Sequence, residues 1–191
     1  MKLVLPALVA VFALTTGTAD ALLLKGAASL TPDQEVVAPG GPDPALTSTA
    51  FGLASFDLDT ATNTLSKLSL IVKGIDPSDL FDVGGGNGPV HIHDAPVGAN
   101  GGIVLAIPTG FDALPFANGG FAFRADSIVI TDAAEAAIVA GNGYFNIHTD
   151  AFEAGEIRGQ IHVTPIPAGF VLLGTAIAGV GWLGRRKRQA A

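Results

Sequence analysis

The feature that most constrains the fold is a two-residue alternation in the middle of the chain. Phe51, Leu53, Ser55 and Asp57 fall on one side of an extended strand, and Gly52, Ala54, Phe56 and Leu58 on the other. A second run sets Leu68, Leu70 and Val72 against Lys67, Ser69, Ile71 and Lys73. Side chains alternate across a strand, so a run of this period buries one face and pairs with a neighbour. The intervening Asp59-Thr60-Ala61-Thr62-Asn63 is turn material, which predicts an antiparallel hairpin.

Similar runs predict strands at 22–30, 90–93, 103–106, 120–130, 143–149 and 156–163, the last two pairing across a loop at 150–155. One segment carries helix punctuation, with Asp132 as cap, Glu135 three residues on and Gly141 at the end. Short strands with one helix in a span of about 140 residues predict an all-β domain, an antiparallel β-sandwich or partly closed barrel.

Both ends differ from this middle. Residues 1–21 have a basic start at Lys2, an apolar run from Leu3 to Leu14 and small residues after it, the pattern of a signal peptide cleaved after Ala19 or Ala21. Residues 169–184 are uncharged and predict an apolar C-terminal helix, a little short for a bilayer core. The run Arg185, Arg186, Lys187, Arg188 follows as a positive-inside stop. The expected domains are therefore 1–21, a β domain at 22–163 and a tail at 164–191. Composition agrees with apolar ends, because only 14% of residues are charged and the mean hydropathy is +0.49. Residues 20–163 hold five basic side chains against all 17 acids, a net charge of −12, which excludes nucleic acid as a partner. The absence of cysteine excludes disulfides, thiolate nucleophiles and thiolate metal sites.

The tail is similar to the PEP-CTERM sorting signal in its VPLPA-type variant, through Pro165-Ile166-Pro167-Ala168, the apolar stretch and the basic run. That resemblance implies export through the secretion translocon, transient inner-membrane anchoring, and cleavage by an exosortase-type sorting protease. The protein would then reach the surface or exterior of a Gram-negative cell.

The chemistry-bearing residues lie in the strands. Val90-His91-Ile92-His93 puts two imidazoles on one face, and His148 and His162 end two later strands. Glu156, Arg158 and Gln160 share a face, with Ile157 and Ile161 turned away. Such a polar face is ordinarily the solvent face. A metal reading takes His91, His93 and His148 as ligands to Zn²⁺ or Cu²⁺, with Asp94, Glu156 or His162 as a fourth. A structural reading makes Glu156, Arg158 and Gln160 a polar network in which Arg158 pairs with Glu156, Asp94 or Asp150. No catalytic set is present: no serine sits in a nucleophile elbow, and Gly84-Gly85-Gly86-Asn87-Gly88 lacks the Lys-Ser/Thr of a phosphate loop.

Three motifs in order resemble the CHRD domain: His91-Ile92-His93-Asp94 with Asn100-Gly101, then Tyr144-Phe145-Asn146-Ile147-His148-Thr149, then Gly155-Glu156-Ile157-Arg158-Gly159-Gln160. The resemblance implies an all-β sandwich without a defined molecular activity. The His-x-His strand is also similar to the copper strand of β-sandwich superoxide dismutases, which would make the topology a Greek key. The expected function is a non-enzymatic surface or matrix module without a required cofactor, acting on an envelope protein or polysaccharide. The alternative is a zinc or copper site on the His-x-His strand, extending to a metalloenzyme.

Overall fold

The computed structural model describes residues 22–36, 47–107 and 113–166. Ten strands and one helix follow in chain order: β1 (Leu23–Leu30), β2 (Phe51–Asp59), β3 (Thr64–Lys73), β4 (Val90–Asp94), β5 (Gly102–Ala106), β6 (Leu114–Pro115), β7 (Gly120–Val129), α1 (Asp132–Val139), β8 (Gly143–Thr149), β9 (Phe152–Gln160) and β10 (His162–Pro165). They form a six-stranded sheet of order β10-β1-β2-β3-β7-β6 and a four-stranded sheet of order β5-β4-β8-β9. Every pairing is antiparallel.

The alternation in β2 and β3 is observed, with one irregularity. Ser55 pairs with Ser69 but Asp57 pairs with Ser66, so β3 holds an extra residue there. Lys67 absorbs it at φ 54°, a β-bulge that lets both Leu65 and Leu68 face inward. The Lys67 ammonium then reaches Asp57 at 2.8 Å. One core joins the sheets: Leu30, Phe56, Leu58, Leu70 and Val72 from the larger meet Ile92, Phe145, Ile147 and Ile157 from the smaller. Phe56 and Phe145 meet edge to face at 6.2 Å between centroids.

Several expectations require correction. In place of a partly closed barrel stand two open antiparallel sheets. The end strands β10, β6, β5 and β9 each have a strand neighbour on one side alone, and β1, β2 and β3 lie side by side as a meander. The sheets touch through an isolated bridge between Thr31 and Arg158, not a continuous ladder. The strand expected at 156–163 is two strands. Ile161, fully buried, donates its N–H to Gly143 and carries the chain from the small sheet into the large one, where β10 lies beside β1. The helix cap is Thr131, whose hydroxyl accepts from the Ala134 N–H, while Asp132 accepts from Asn63.

The secretion signal expected at 1–21 and the apolar helix expected at 169–184 lie outside the described residues. Among the described residues no helix is long and apolar enough to cross a membrane. The expected inner-membrane anchoring, and the localisation at that membrane, are therefore not supported by the described residues.

Candidate metal centre

The smaller sheet has two faces of opposite chemistry. Cross-strand partners share a face, and His91 pairs with Asn146, His93 with Tyr144, Asn146 with Arg158 and Tyr144 with Gln160. One face thus carries His91, His93, Tyr144, Asn146, His148, Arg158 and Gln160, and the other delivers Ile92, Phe145, Ile147 and Ile157 to the core. The polar face is not the solvent face. Every residue of β8 is buried, as is β9 from Gly155 to Gln160.

Loops cover that face, and the polar side chains hold them. Arg158, 2% exposed, donates through Nη1 to the carbonyl of Ala99 (2.7 Å) and to Asn100 Oδ1 (3.3 Å). Its Nη2 reaches the carbonyl of Pro96 (3.3 Å) and Gln160 Oε1 (3.4 Å). Gln160 donates in turn to the carbonyls of Ala95 (3.1 Å) and Gly141 (2.8 Å). None of the expected partners Glu156, Asp94 and Asp150 pairs with Arg158; the carboxylate whose charge acts on it is that of buried Glu35. In place of the expected partners, backbone carbonyls of the covering loop take the guanidinium's hydrogen bonds. Glu156 instead accepts from Ser48 (2.5 Å) and Thr149 (2.6 Å).

Beside this network His91, His93 and His148 converge, each offering a ring nitrogen within 4.8 Å of the other two. The His93 Nδ1 lies 3.0 Å from the Gly101 carbonyl and the His148 Nδ1 2.9 Å from the Glu153 carbonyl. A carbonyl only accepts, so each Nδ1 carries the proton and each Nε2 presents a lone pair. Those two Nε2 atoms are buried without a hydrogen-bond partner, as are both ring nitrogens of His91. Burial holds all three imidazoles below the ordinary histidine range. His91 is lowered to about 4 by burial and then by the neighbouring His148 and His93, against a small opposing pull from the backbone at Gly88 and Asn87. His93 and His148 are lowered chiefly by burial, opposed by their carbonyl contacts. The three rings are therefore neutral donors at neutral pH.

The carbonyl under His93 is itself fixed. Gly101 donates its N–H to Tyr144 Oη (3.2 Å), and a Cβ at Gly101 would collide with the backbone of Asp94. Tyr144 stacks on His93 at 5.0 Å with an 11° interplanar angle, and the Arg158 guanidinium lies 3.5 Å from the Tyr144 ring centroid. Gly155, at φ 131°, passes where a Cβ would strike Asn146 and Glu35. The positioning roles of Tyr144 and Gly101 escaped the sequence reading. The parity of Tyr144, Asn146 and His148 was the available signal.

Of the residues considered as a fourth ligand, none joins the cluster. Asp94 is exposed, Glu156 is held by two hydroxyls, and His162 is exposed on β10 of the other sheet. Of the sorting motif, Pro165 pairs with Leu24 and Ile166 donates to the Leu23 carbonyl. Pro167, Ala168, Arg185, Arg186, Lys187 and Arg188 lie outside the described residues.

The CHRD domain model matches residues 26–161. The chain belongs to the CHRD family. No curated protein and no solved structure matches it. CHRD domains are non-catalytic structural modules, consistent with no enzyme activity in this chain. The matched span includes the three histidines and the Arg158 network, so the polar face belongs to the CHRD domain itself.

Proposed function

We propose that this CHRD domain is a non-enzymatic extracellular structural module that holds one zinc or copper ion on His91, His93 and His148. The observation that carries the reading is the set of buried, neutral imidazoles whose ring nitrogens converge and whose Nε2 atoms have no hydrogen-bond partner among the described residues. An unpaired buried polar atom costs roughly 1–3 kcal/mol, and this cluster contains four of them. A bound cation would satisfy a lone pair on each ring at once. The carbonyl contacts at Gly101 and Glu153 are the outer partners that orient metal-bound histidines in known sites.

In this reading the ion ties β4 to β8 beneath the covering loops, and the module acts through contacts with an envelope protein or polysaccharide. Metal analysis of the purified full chain tests it, beside a His91→Ala/His93→Ala double variant. One equivalent in the parent and none in the variant is expected; no stoichiometric metal in either sinks the proposal. Processing of the tail by an exosortase-type protease rests on the sequence pattern at 165–188 alone. An intact mass ending near Pro167 or Ala168 is its expected signature, and a retained Arg185–Arg188 run counts against it.

A further inference from the structure

The exposed cations are gathered on one side of the domain. Among the described residues the basic side chains are Lys25, Lys67, Lys73, Arg124 and Arg158, and Arg158 is buried beneath the covering loops. The other four all stand on the outer face of the larger sheet, on β1, β3 and β7. Against them that face holds Asp57, Asp59 and Asp126, a net charge of +1 within a span whose total is −12. Screening at physiological ionic strength limits the reach of exposed charges to about 8 Å, so a ligand at this face meets the local sign and not the total.

The ladder registers set one row of outward residues straight across five strands: His162, Ala27, Ser55, Ser69 and Arg124. Its three central side chains are small, so the row forms the floor of a trough, about 19 Å long at ~4.8 Å per strand spacing. Two adjoining hollows of about 600 and 570 Å³ share Ala27, Ser55 and His162. One wall is apolar, with Leu53 and Ile71 paired across β2 and β3 and Phe51 beside them, each 38–46% exposed. The opposite wall carries Lys25 and Lys67, both fixed by Asp57.

We propose that this trough binds a linear acidic polysaccharide of uronate-type sugars, an inference that rests on the contact-making part of the reading above and not on its metal. A sugar ring offers apolar C–H faces to Leu53 and Ile71, and a hydroxyl rim to Ser55 and Ser69, which both donate and accept. Its carboxylate answers Arg124, whose planar fork matches two oxygens at once. An acidic peptide fits less well. The trough runs across the strands, and β1, β2 and β3 are already paired on both sides, so a peptide main chain finds no free ladder there.

The test is fluorescence anisotropy of labelled alginate oligosaccharides with the purified full chain, beside labelled dextran and labelled polyglutamate. Alginate should bind, and neutral dextran at least ~10-fold more weakly. Arg124→Glu should weaken alginate binding at least ~10-fold, as should Ser55→Trp, which fills the floor without changing charge; circular dichroism confirms that both fold. Alginate bound equally by parent and both variants overturns the trough. Dextran bound as tightly overturns the acidic class, and tighter binding of polyglutamate assigns the face to an acidic protein segment instead. No binding of alginate overturns this inference alone, since one equivalent of metal on the histidines leaves the metal-holding module standing.

Discussion

Arg158→Lys is the sharpest perturbation of this architecture because it keeps the charge and removes the geometry. The guanidinium serves four acceptors on two segments: the Pro96 and Ala99 carbonyls and Asn100 Oδ1 of the covering loop, and Gln160 Oε1 of β9. A lysine has three tetrahedral donors on one nitrogen and cannot span that set, so at least two acceptors lose their partner. Hydrogen bonds to a charged group contribute about 1.5–3 kcal/mol each, and the orphaned carbonyls remain buried. The loss should be about 3–5 kcal/mol. With a urea slope of ~2 kcal/mol/M, the unfolding midpoint falls by roughly 1.5–2.5 M. Unfolding of the full chain would be followed by circular dichroism in excess chelator, so that metal linkage does not enter. Lys25→Ala provides the comparison. Its side chain is 66% exposed and its removal should cost less than ~1 kcal/mol. If Arg158→Lys falls within ~1 kcal/mol of the parent at unchanged slope, the loop-clamping role of the buried guanidinium is wrong.

Three further outcomes follow from the same geometry. Free metal at about 100 times its Kd should stabilise the fold by ~2.7 kcal/mol, visible as a higher Tm, and His148→Ala should abolish the shift; an equal shift in the variant would place the ion elsewhere. With metal chelated, stability should fall as pH drops below about 6.5 toward about 4. In that window the unfolded chain protonates His91 while the folded chain does not, so protons favour unfolding; urea midpoints that stay flat from pH 7 to pH 4.5 would refute the burial of a neutral His91. Gly101→Ala should both destabilise the fold and weaken metal binding, because its Cβ meets the Asp94 backbone and displaces the carbonyl under His93. Gly102→Ala, whose Cβ meets nothing within 4 Å, should leave metal affinity unchanged by competition titration.

The β2–β3 alternation was legible because the larger sheet is half-buried, and there period two separates inward Leu70 and Val72 from outward Ile71 and Lys73. The smaller sheet is buried on both faces, so the same period in β8 sorted apolar from polar without sorting inside from outside. The three histidines could be put on the right face by parity, since His91 and His93 lie two apart and His148 belongs to the same cross-strand set. What covered that face could not be read, because the cover is loop backbone: Pro96, Ala99 and Gly101 contribute carbonyls, and any residue type has one. For the same reason a carboxylate was sought for Arg158. The break at Ile161 was hidden because an inward isoleucine fits either strand.

The polar face also bears on why the module keeps a metal-ready cluster. A structural sheet buried on both sides is most simply stabilised by apolar side chains, which need no partners. Here Arg158 and Gln160 are matched to acceptors, so their burial is consistent with a fixed loop cover. His91, His93 and His148 are different, since their inner nitrogens face one another and no protein group answers them. Replacing them with leucine-sized residues would remove four unsatisfied atoms, which on packing grounds alone should stabilise the chelated protein. A His91→Leu/His93→Leu/His148→Leu variant that is more stable than the parent in chelator, yet gains nothing from added metal, is the expected result. A variant that is less stable in chelator would mean that the imidazoles are satisfied within the protein and that the cluster is packing, not a binding site.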